Sequence, residues 1–234
     1  MTPARPHLVW DWNGTLLNDL HLVVACTNAV FASEGGPTVT ADEHRVRFRR
    51  PIADYYADVL GRAVDDEAFG RLDKIFHDAY RVGLTTCELA HDAVEAMAAW
   101  TGSQSLLSMW FHDELVPAVG TYGLAGRFAR VDGLRAQVGG DRKAESLARH
   151  IGELGVDGRD VVLIGDSLDD AEAALSVGGR AVLYSGGFTD RARLDASGHP
   201  VADTLTHAIH LAQTPPPLSA DHEVVALRVG VSGQ

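Results

Sequence analysis

Residues 7–16 read His-Leu-Val-Trp-Asp-Trp-Asn-Gly-Thr-Leu, a short apolar run that stops abruptly at Asp11 and enters a glycine-containing turn. A buried strand breaking into such a turn is how an α/β sheet presents a polar side chain at its carboxyl edge. Three later runs repeat the pattern: Ser105 to Met109, Val161 to Ile164 leading into Gly165-Asp166-Ser167, and Arg180 to Tyr184 leading into Ser185-Gly186-Gly187. Helical stretches separate them, including His91 to Trp100, so the four runs predict a parallel sheet built from βαβ units.

Between the first two strands, from about Leu20 to Ala90, the apolar period changes from two to three and four. Leu22, Ala25 and Ala29 are expected on one helical face, and Leu72, Ile75, Phe76 and Ala79 on another. The interval therefore reads as a helical insertion. The stripe Val94/Met97/Ala98 is read as packing. Gly139-Gly140 and Gly178-Gly179 lack the G-x-G-x-x-G spacing and read as helix ends and turns, as does Gly186-Gly187. Pro215, Pro216 and Pro217 are expected to end the last helix and start a tail, with Val224 to Val229 a possible edge strand.

The chain has 234 residues, 46% hydrophobic and 22% charged, enough for one large α/β domain carrying a smaller insertion. Its formal net charge of -12 makes nucleic acid and anionic membrane surfaces poor partners. Two cysteines, Cys26 and Cys87, make no disulfide framework, and no apolar run has the length of a membrane span, so a soluble cytoplasmic protein is expected. Neither composition nor spacing fixes an oligomeric state. None of the 11 histidines has zinc-site spacing.

Asp11 ends the first strand, and Asp166 and Asp170 follow the third. The carboxyl ends of neighbouring strands converge on one crevice, so acids 155 positions apart can face each other. Clustered carboxylates repel and call for a cation, and Mg²⁺ is the hard ion held by one or two carboxylates plus substrate phosphate. Capping of the following turn is the alternative for each acid taken singly.

Together these stretches resemble the haloacid dehalogenase superfamily. Its D-x-D-G-T-L motif is matched by Asp11-Trp12-Asn13-Gly14-Thr15-Leu16, with one departure at Asn13. An apolar strand ending in Ser is Leu106-Leu107-Ser108, the lysine opening a helix is Lys143 before Ala144 to Leu154, and G-D-S-x-x-D is Gly165 to Asp170. Only two lysines stand among 18 arginines, and one of them falls where the motif requires it.

The resemblance covers roughly residues 7–210. It implies a Rossmann-like α/β core over 1–18 and 91–212, a helical C1-type cap over 19–90, and a tail over 213–234. It further implies a Mg²⁺-dependent phosphatase of the phosphoglycolate-phosphatase-like type, acting on a small phosphorylated metabolite. Asp11 would be the nucleophile, Ser108 and Lys143 would bind the phosphoryl group with the Gly14-Thr15 turn, and Asp11, Asn13 (by its carbonyl), Asp166 and Asp170 would form the metal site. Within the insertion, Arg45, Arg47, Arg49 and Arg50 form a basic cluster, of which Arg49 and Arg50 are expected to meet an anionic group of the substrate.

In most phosphatases of this family the second acid of the first motif protonates the leaving oxygen. Asn13 has no proton to exchange near neutral pH. Three readings follow: a phosphatase whose leaving group needs no acid, or takes a proton from a residue such as His21 or His44; a weak or inactive relative that binds a phosphorylated ligand or partner; or different chemistry on the same scaffold. Phosphonate cleavage would require a Schiff-base lysine in the insertion, for which Lys74 is the candidate.

Overall fold

The computed structural model describes residues 6–136, 138 and 142–214. Strand β1 (His7–Trp10) leads through the short β2 (Leu17–Asn18) into four helices, α1 (Leu20–Ser33), α2 (Ala41–Arg47), α3 (Ile52–Leu60) and α4 (Asp66–Gly83). Strand β3 (Glu88–Leu89) brings the chain back, pairing antiparallel with β2 through Leu17 and Leu89. The remaining elements are α5 (Ala93–Ala99), β4 (Gln104–Phe111), α6 (His112–Thr121), β5 (Val131–Leu134), α7 (Ala144–Leu154) and β6 (Val161–Gly165). They continue with α8 (Leu168–Ser176), β7 (Arg180–Tyr184), α9 (Arg191–Ala196), β8 (Val201–Ala202) and α10 (Leu205–Gln213).

Six strands form one parallel sheet in the order β5-β4-β1-β6-β7-β8. The chain winds outward in both directions from β1, which lies between β4 and β6. Connections leaving a switch point to opposite sides open a crevice beyond its carboxyl end, and this is where Asp11 emerges. Both faces of the sheet are covered. Leu8, Trp10, Leu106, Val162 and Ile164 pack in one apolar cluster, while Val9, Leu107, Leu163, Ala181 and Leu183 pack in the other, as the period of two requires.

The first four expected strands are present, with β4 longer than its apolar run. Four more escape the sequence reading: β5, where Val131-Asp132-Gly133-Leu134 interrupts the apolar pattern, and β2, β3 and β8, each two residues long. Leu72 is buried, with Ile75, Phe76 and Ala79 packed against the same core, as expected of α4. For α1 the expected face is rotated. Ala25 and Ala29 are exposed, and Val23, Cys26, Thr27 and Val30 are buried with Leu22. In α5, Val94 and Ala98 are likewise exposed, and Ala93, Ala96, Met97 and Trp100 are buried. Alanine suits either side of a helix, so the alanines do not mark the buried stripe: in α1 Val23, Cys26 and Val30 set it, and in α5 Met97 and Trp100 turn inward with Ala93 and Ala96 and leave Val94 outside.

Gly139, Gly140, the three prolines and the strand expected at Val224 to Val229 lie outside the described residues. Gly178 ends α8 in the left-handed region, as a helix end should. Among the described residues no helix is long and apolar enough to cross a membrane.

Candidate active site

The turn after β1 sets the geometry. The Asp11 N–H donates to the Ile164 carbonyl at 2.9 Å, fixing the end of β1 to β6. Gly14 has φ +72, and a Cβ there would lie 2.6 Å from Asp166 Oδ2, so both backbone shape and the neighbouring acid demand glycine. The Thr15 hydroxyl lies 3.3 Å from Asp11 Oδ2 and 3.3 Å from Asp166 Oδ1.

On β6 the chain breaks after Gly165 into Asp166 and the capping box of α8. There the Ser167 hydroxyl and the Asp170 carboxylate satisfy each other's N–H groups. The Phe188 N–H donates to Asp166 Oδ2 at 2.5 Å. Gly187 does more than turn the chain, because a Cβ on it would meet Asp166 Oδ2 at 2.1 Å.

Lys143 stands just before α7 and is 3% exposed. Its ammonium contacts both Asp11 and Asp170, while its N–H donates to Asp169 Oδ2 at 3.0 Å. One carboxylate oxygen from each of Asp11, Asp166 and Asp170 lies within 4.8 Å of the others. Three buried acids thus crowd one ammonium that contacts two of them. Burial pushes Asp11 up to about 6 against the pull of Lys143. It pushes Asp166 well above the carboxylate range, aided by the charges of Asp11 and Asp170. Burial disfavours the Lys143 charge too, but Asp11 and Asp170 outweigh it and hold its pKa above that of free lysine. A buried all-oxygen set with more acids than cations suits a hard divalent ion such as Mg²⁺.

Asn13 sits at the centre of a second network. Its Nδ2 donates to Asp19 Oδ2 at 2.8 Å and to the Tyr80 hydroxyl at 2.8 Å, and its Oδ1 accepts from Ser108 Oγ at 3.1 Å. The Tyr80 hydroxyl donates to Asp19 Oδ2 at 2.7 Å, and the Gly14 N–H to Asp19 Oδ1 at 2.8 Å. Burial raises the Asp19 pKa, and the bonds from Tyr80, Asn13 and Gly14 oppose the rise. Sequence reading missed both residues. Asp19 stands at the N-cap position of α1, where an acid ordinarily caps, but its side chain makes no cap bond and turns to Asn13 instead. Tyr80 comes from the far end of the insertion, which no local signal connects to residue 13.

Of the expected site residues, Asp11, Asn13, Ser108, Lys143, Asp166 and Asp170 line one cavity, together with Arg50 and Asp169. Gly14 and Thr15 form the turn beside it. The arginine cluster divides. Arg47 and Arg49 both pair with Asp58, Arg45 donates to the Gly187 carbonyl at 2.9 Å, and Arg50 alone of the four lines the cavity, 3.8 Å from Asp169. His21 is exposed, and so is Lys74, which pairs with Asp78 at 2.6 Å and is absent from the cavity wall. His44 is buried among aromatic rings, stacked on Phe48 at 5.1 Å.

Residues 139–208 match the family model described as HAD-hydrolase-like. No curated protein matches the chain. Among solved structures it is similar to a predicted phosphoglycolate phosphatase from Haemophilus somnus, with 16% identity over 91% of this chain and 100% of that one and a TM-score of 0.71. It is also similar to a haloacid dehalogenase-like hydrolase from Streptococcus pneumoniae, 15% identical over 88% and 98% of the two chains, TM-score 0.76. A predicted phosphatase from Clostridium acetobutylicum gives 12%, 89% and 98%, with a TM-score of 0.78. The chain has the haloacid dehalogenase-like α/β fold.

Proposed function

We propose that the protein is a Mg²⁺-dependent phosphatase that hydrolyses a small phosphoric monoester through an aspartyl phosphate at Asp11. One observation carries the reading: Asp11, at the edge of the central strand, shares the Lys143 ammonium with Asp170 and lies beside Asp166 in one buried crevice. A carboxylate nucleophile, a neutralising cation and a hard-ion ligand set side by side are what phosphoryl transfer requires, and this arrangement supports the reading.

In the first step an Asp11 oxygen bonds to phosphorus as the bond from phosphorus to the ester oxygen breaks, and the ester oxygen leaves as an oxyanion that then takes up a proton from solvent water. Water then bonds to phosphorus, the acyl phosphate bond breaks, and inorganic phosphate leaves with Asp11 restored. Lys143 holds its charge against the phosphoryl oxygens, and the Ser108 hydroxyl turns from Asn13 to donate to one of them. Asp11, Asp166 and the Asn13 carbonyl would hold Mg²⁺, with Asp170 keeping Lys143 in place. The bound ion supplies charge neutralisation at the phosphoryl oxygens. Residues 19–90 act as the cap, contributing Arg50 to the anion site. Cys26 and Cys87, both buried and unbridged, suit a reducing cytoplasm.

Phosphate release from a panel of phosphorylated metabolites with Mg²⁺ tests the reading, comparing wild type with Asp11→Asn. Turnover by wild type that falls to background in the variant is expected, and equal rates refute it. A second reading, a protein that binds a phosphorylated ligand without turning it over, draws on the Asn13 amide, which is bonded at both ends and has no proton to give. Mg²⁺-dependent phosphate binding with no release from any ester would favour it.

A further inference from the structure

A larger cavity of about 100 Å³ adjoins the acid crevice, between the helical insertion and the sheet. Asn13, Phe48, Arg50, Met109 and Phe188 line both spaces, so a group esterified to a phosphoryl on Asp11 has this cavity beside it. We propose that the leaving group it receives is a single aromatic ring bearing a hydrogen-bonding substituent, which makes the substrate a monocyclic aryl phosphate. The proposal rests on the phosphatase reading and names its substrate class.

Wall chemistry comes first. Seven of the sixteen lining residues are Phe, Tyr or Trp and two more are His, among them Tyr55, Tyr56, Phe76 and Trp110 from elements on both sides. Such walls offer edge and face contacts to a flat ring, whereas a polyol or sugar would lay most of its hydroxyls against aromatic faces. The volume is on the scale of one ring, since apolar cavities of about 150 Å³ hold benzene.

Charge and polar pairing narrow the class further. Arg50 is the only Lys or Arg among the lining residues and stands in the wall shared with the acid crevice, while Asp73 lies on the cavity wall. A substrate with a carboxylate tail would bury that anion among aromatic rings and near an acid, which is costly. Two ring nitrogens, His44 Nε2 and His77 Nδ1, are buried without a hydrogen-bond partner among the described residues, and both histidines line this cavity. His44 is 1% exposed, its Nδ1 already lies 3.0 Å from the Tyr55 hydroxyl, and burial keeps the ring neutral. Buried polar atoms of this kind are ordinarily satisfied, so a hydroxyl or amine on the ligand ring is the natural partner.

Asn13 supplies an independent line. With no acid at that position, the leaving oxygen must depart largely unprotonated. A phenol-type oxygen, with a pKa of about 10, does so far more readily than an aliphatic one, whose pKa is near that of water at about 16. The wall that selects a ring and the residue that cannot donate a proton therefore point to the same ester.

Steady-state phosphate release by the full chain with Mg²⁺ tests this on phenyl, benzyl, cyclohexyl and 1-naphthyl phosphates, the three hydroxyphenyl phosphates, and phosphoglycolate, with Asp11→Asn as background. Phenyl phosphate should exceed cyclohexyl phosphate and phosphoglycolate in kcat/KM by about 100-fold, the usual worth of an acid. Benzyl phosphate, with a ring but an alkyl oxygen, should keep the KM of phenyl phosphate and lose kcat. Naphthyl phosphate should raise KM. The best hydroxyphenyl phosphate should improve on phenyl phosphate, and His77→Phe should erase that margin while sparing phenyl phosphate more. Calorimetry with phenylphosphonate, which carries no ester bond, should show binding at least tenfold tighter than with methylphosphonate. Cyclohexyl phosphate or phosphoglycolate matching phenyl phosphate would overturn the aryl proposal and leave the phosphatase reading intact. Tight phenylphosphonate binding with no release from any ester would uphold the ring site and overturn the phosphatase reading instead.

Discussion

Replacing Asn13 with Asp restores the acid of the family motif, but the structure places a second carboxylate in its way. Asn13 Nδ2 lies 2.8 Å from Asp19 Oδ2. Two charged oxygens at that distance repel by about 6 kcal/mol at an effective dielectric of about 20. Retaining a proton at pH 7 on an acid of ordinary pKa about 3.9 costs about 4 kcal/mol, so the pair keeps one proton and shares it. The folded-state pKa then stands above the unfolded value. Stability is therefore full at pH below about 4 and is lost as pH rises toward the folded pKa.

Asn13→Asp should accordingly be destabilised by up to about 4 kcal/mol at pH 7, with a loss that shrinks toward pH 5. The protonated carboxyl introduced at position 13 is also a general acid, so turnover of alkyl phosphates should rise by about 10²-fold. The double variant Asn13→Asp/Asp19→Asn exchanges amide and carboxylate across the same contact and should recover the lost stability. Urea denaturation of the three proteins at pH 5, 6, 7 and 8, beside phosphate-release assays, checks both parts. A single variant as stable as wild type with no pH trend, or a double variant that recovers nothing, would refute the Asn13–Asp19 argument.

Two further outcomes follow from the same geometry. Asp166→Asn removes an acid whose ionisation burial and the neighbouring Asp11 and Asp170 oppose, so in EDTA its Tm should rise by about 2–4 °C for each kcal/mol of that cost relieved, while the rise on adding Mg²⁺ should vanish; thermal shift with and without the ion decides. At the opposite end of the sheet, His7 and His150 both bond the buried Ser105 hydroxyl at 2.8 Å, and burial with the His150 charge holds His7 down to about 4. An unfolded histidine titrates near 6.5, so stability should be lost as pH falls from about 6.5 to 4, and His7→Gln should show a shallower loss by urea midpoints at pH 7 and 4.5.

Local chemistry placed Asp11, Lys143, Asp166 and Asp170, because each stands where a strand stops or a helix starts and such breaks are written in neighbouring residues. The same logic gave the parallel sheet and the helical insertion. Where the signal is distributed, it failed. The buried face of α1 depends on which side chains meet α4, and β5 carries an Asp and a Gly that its neighbours in the sheet tolerate. The arginine cluster looked uniform along the chain, yet folding brings Asp58 to Arg47 and Arg49 and leaves Arg50 at the crevice. Asn13 could be read as a missing acid from the motif alone. That its amide is held by Asp19 and Tyr80, 6 and 67 positions away, is a property of the fold. Sequence determines which groups can carry the chemistry and the break in the chain that exposes each one. Tertiary structure decides which of them are neutralised by a partner and which face the cavity, because pairing and desolvation depend on distances that only packing sets.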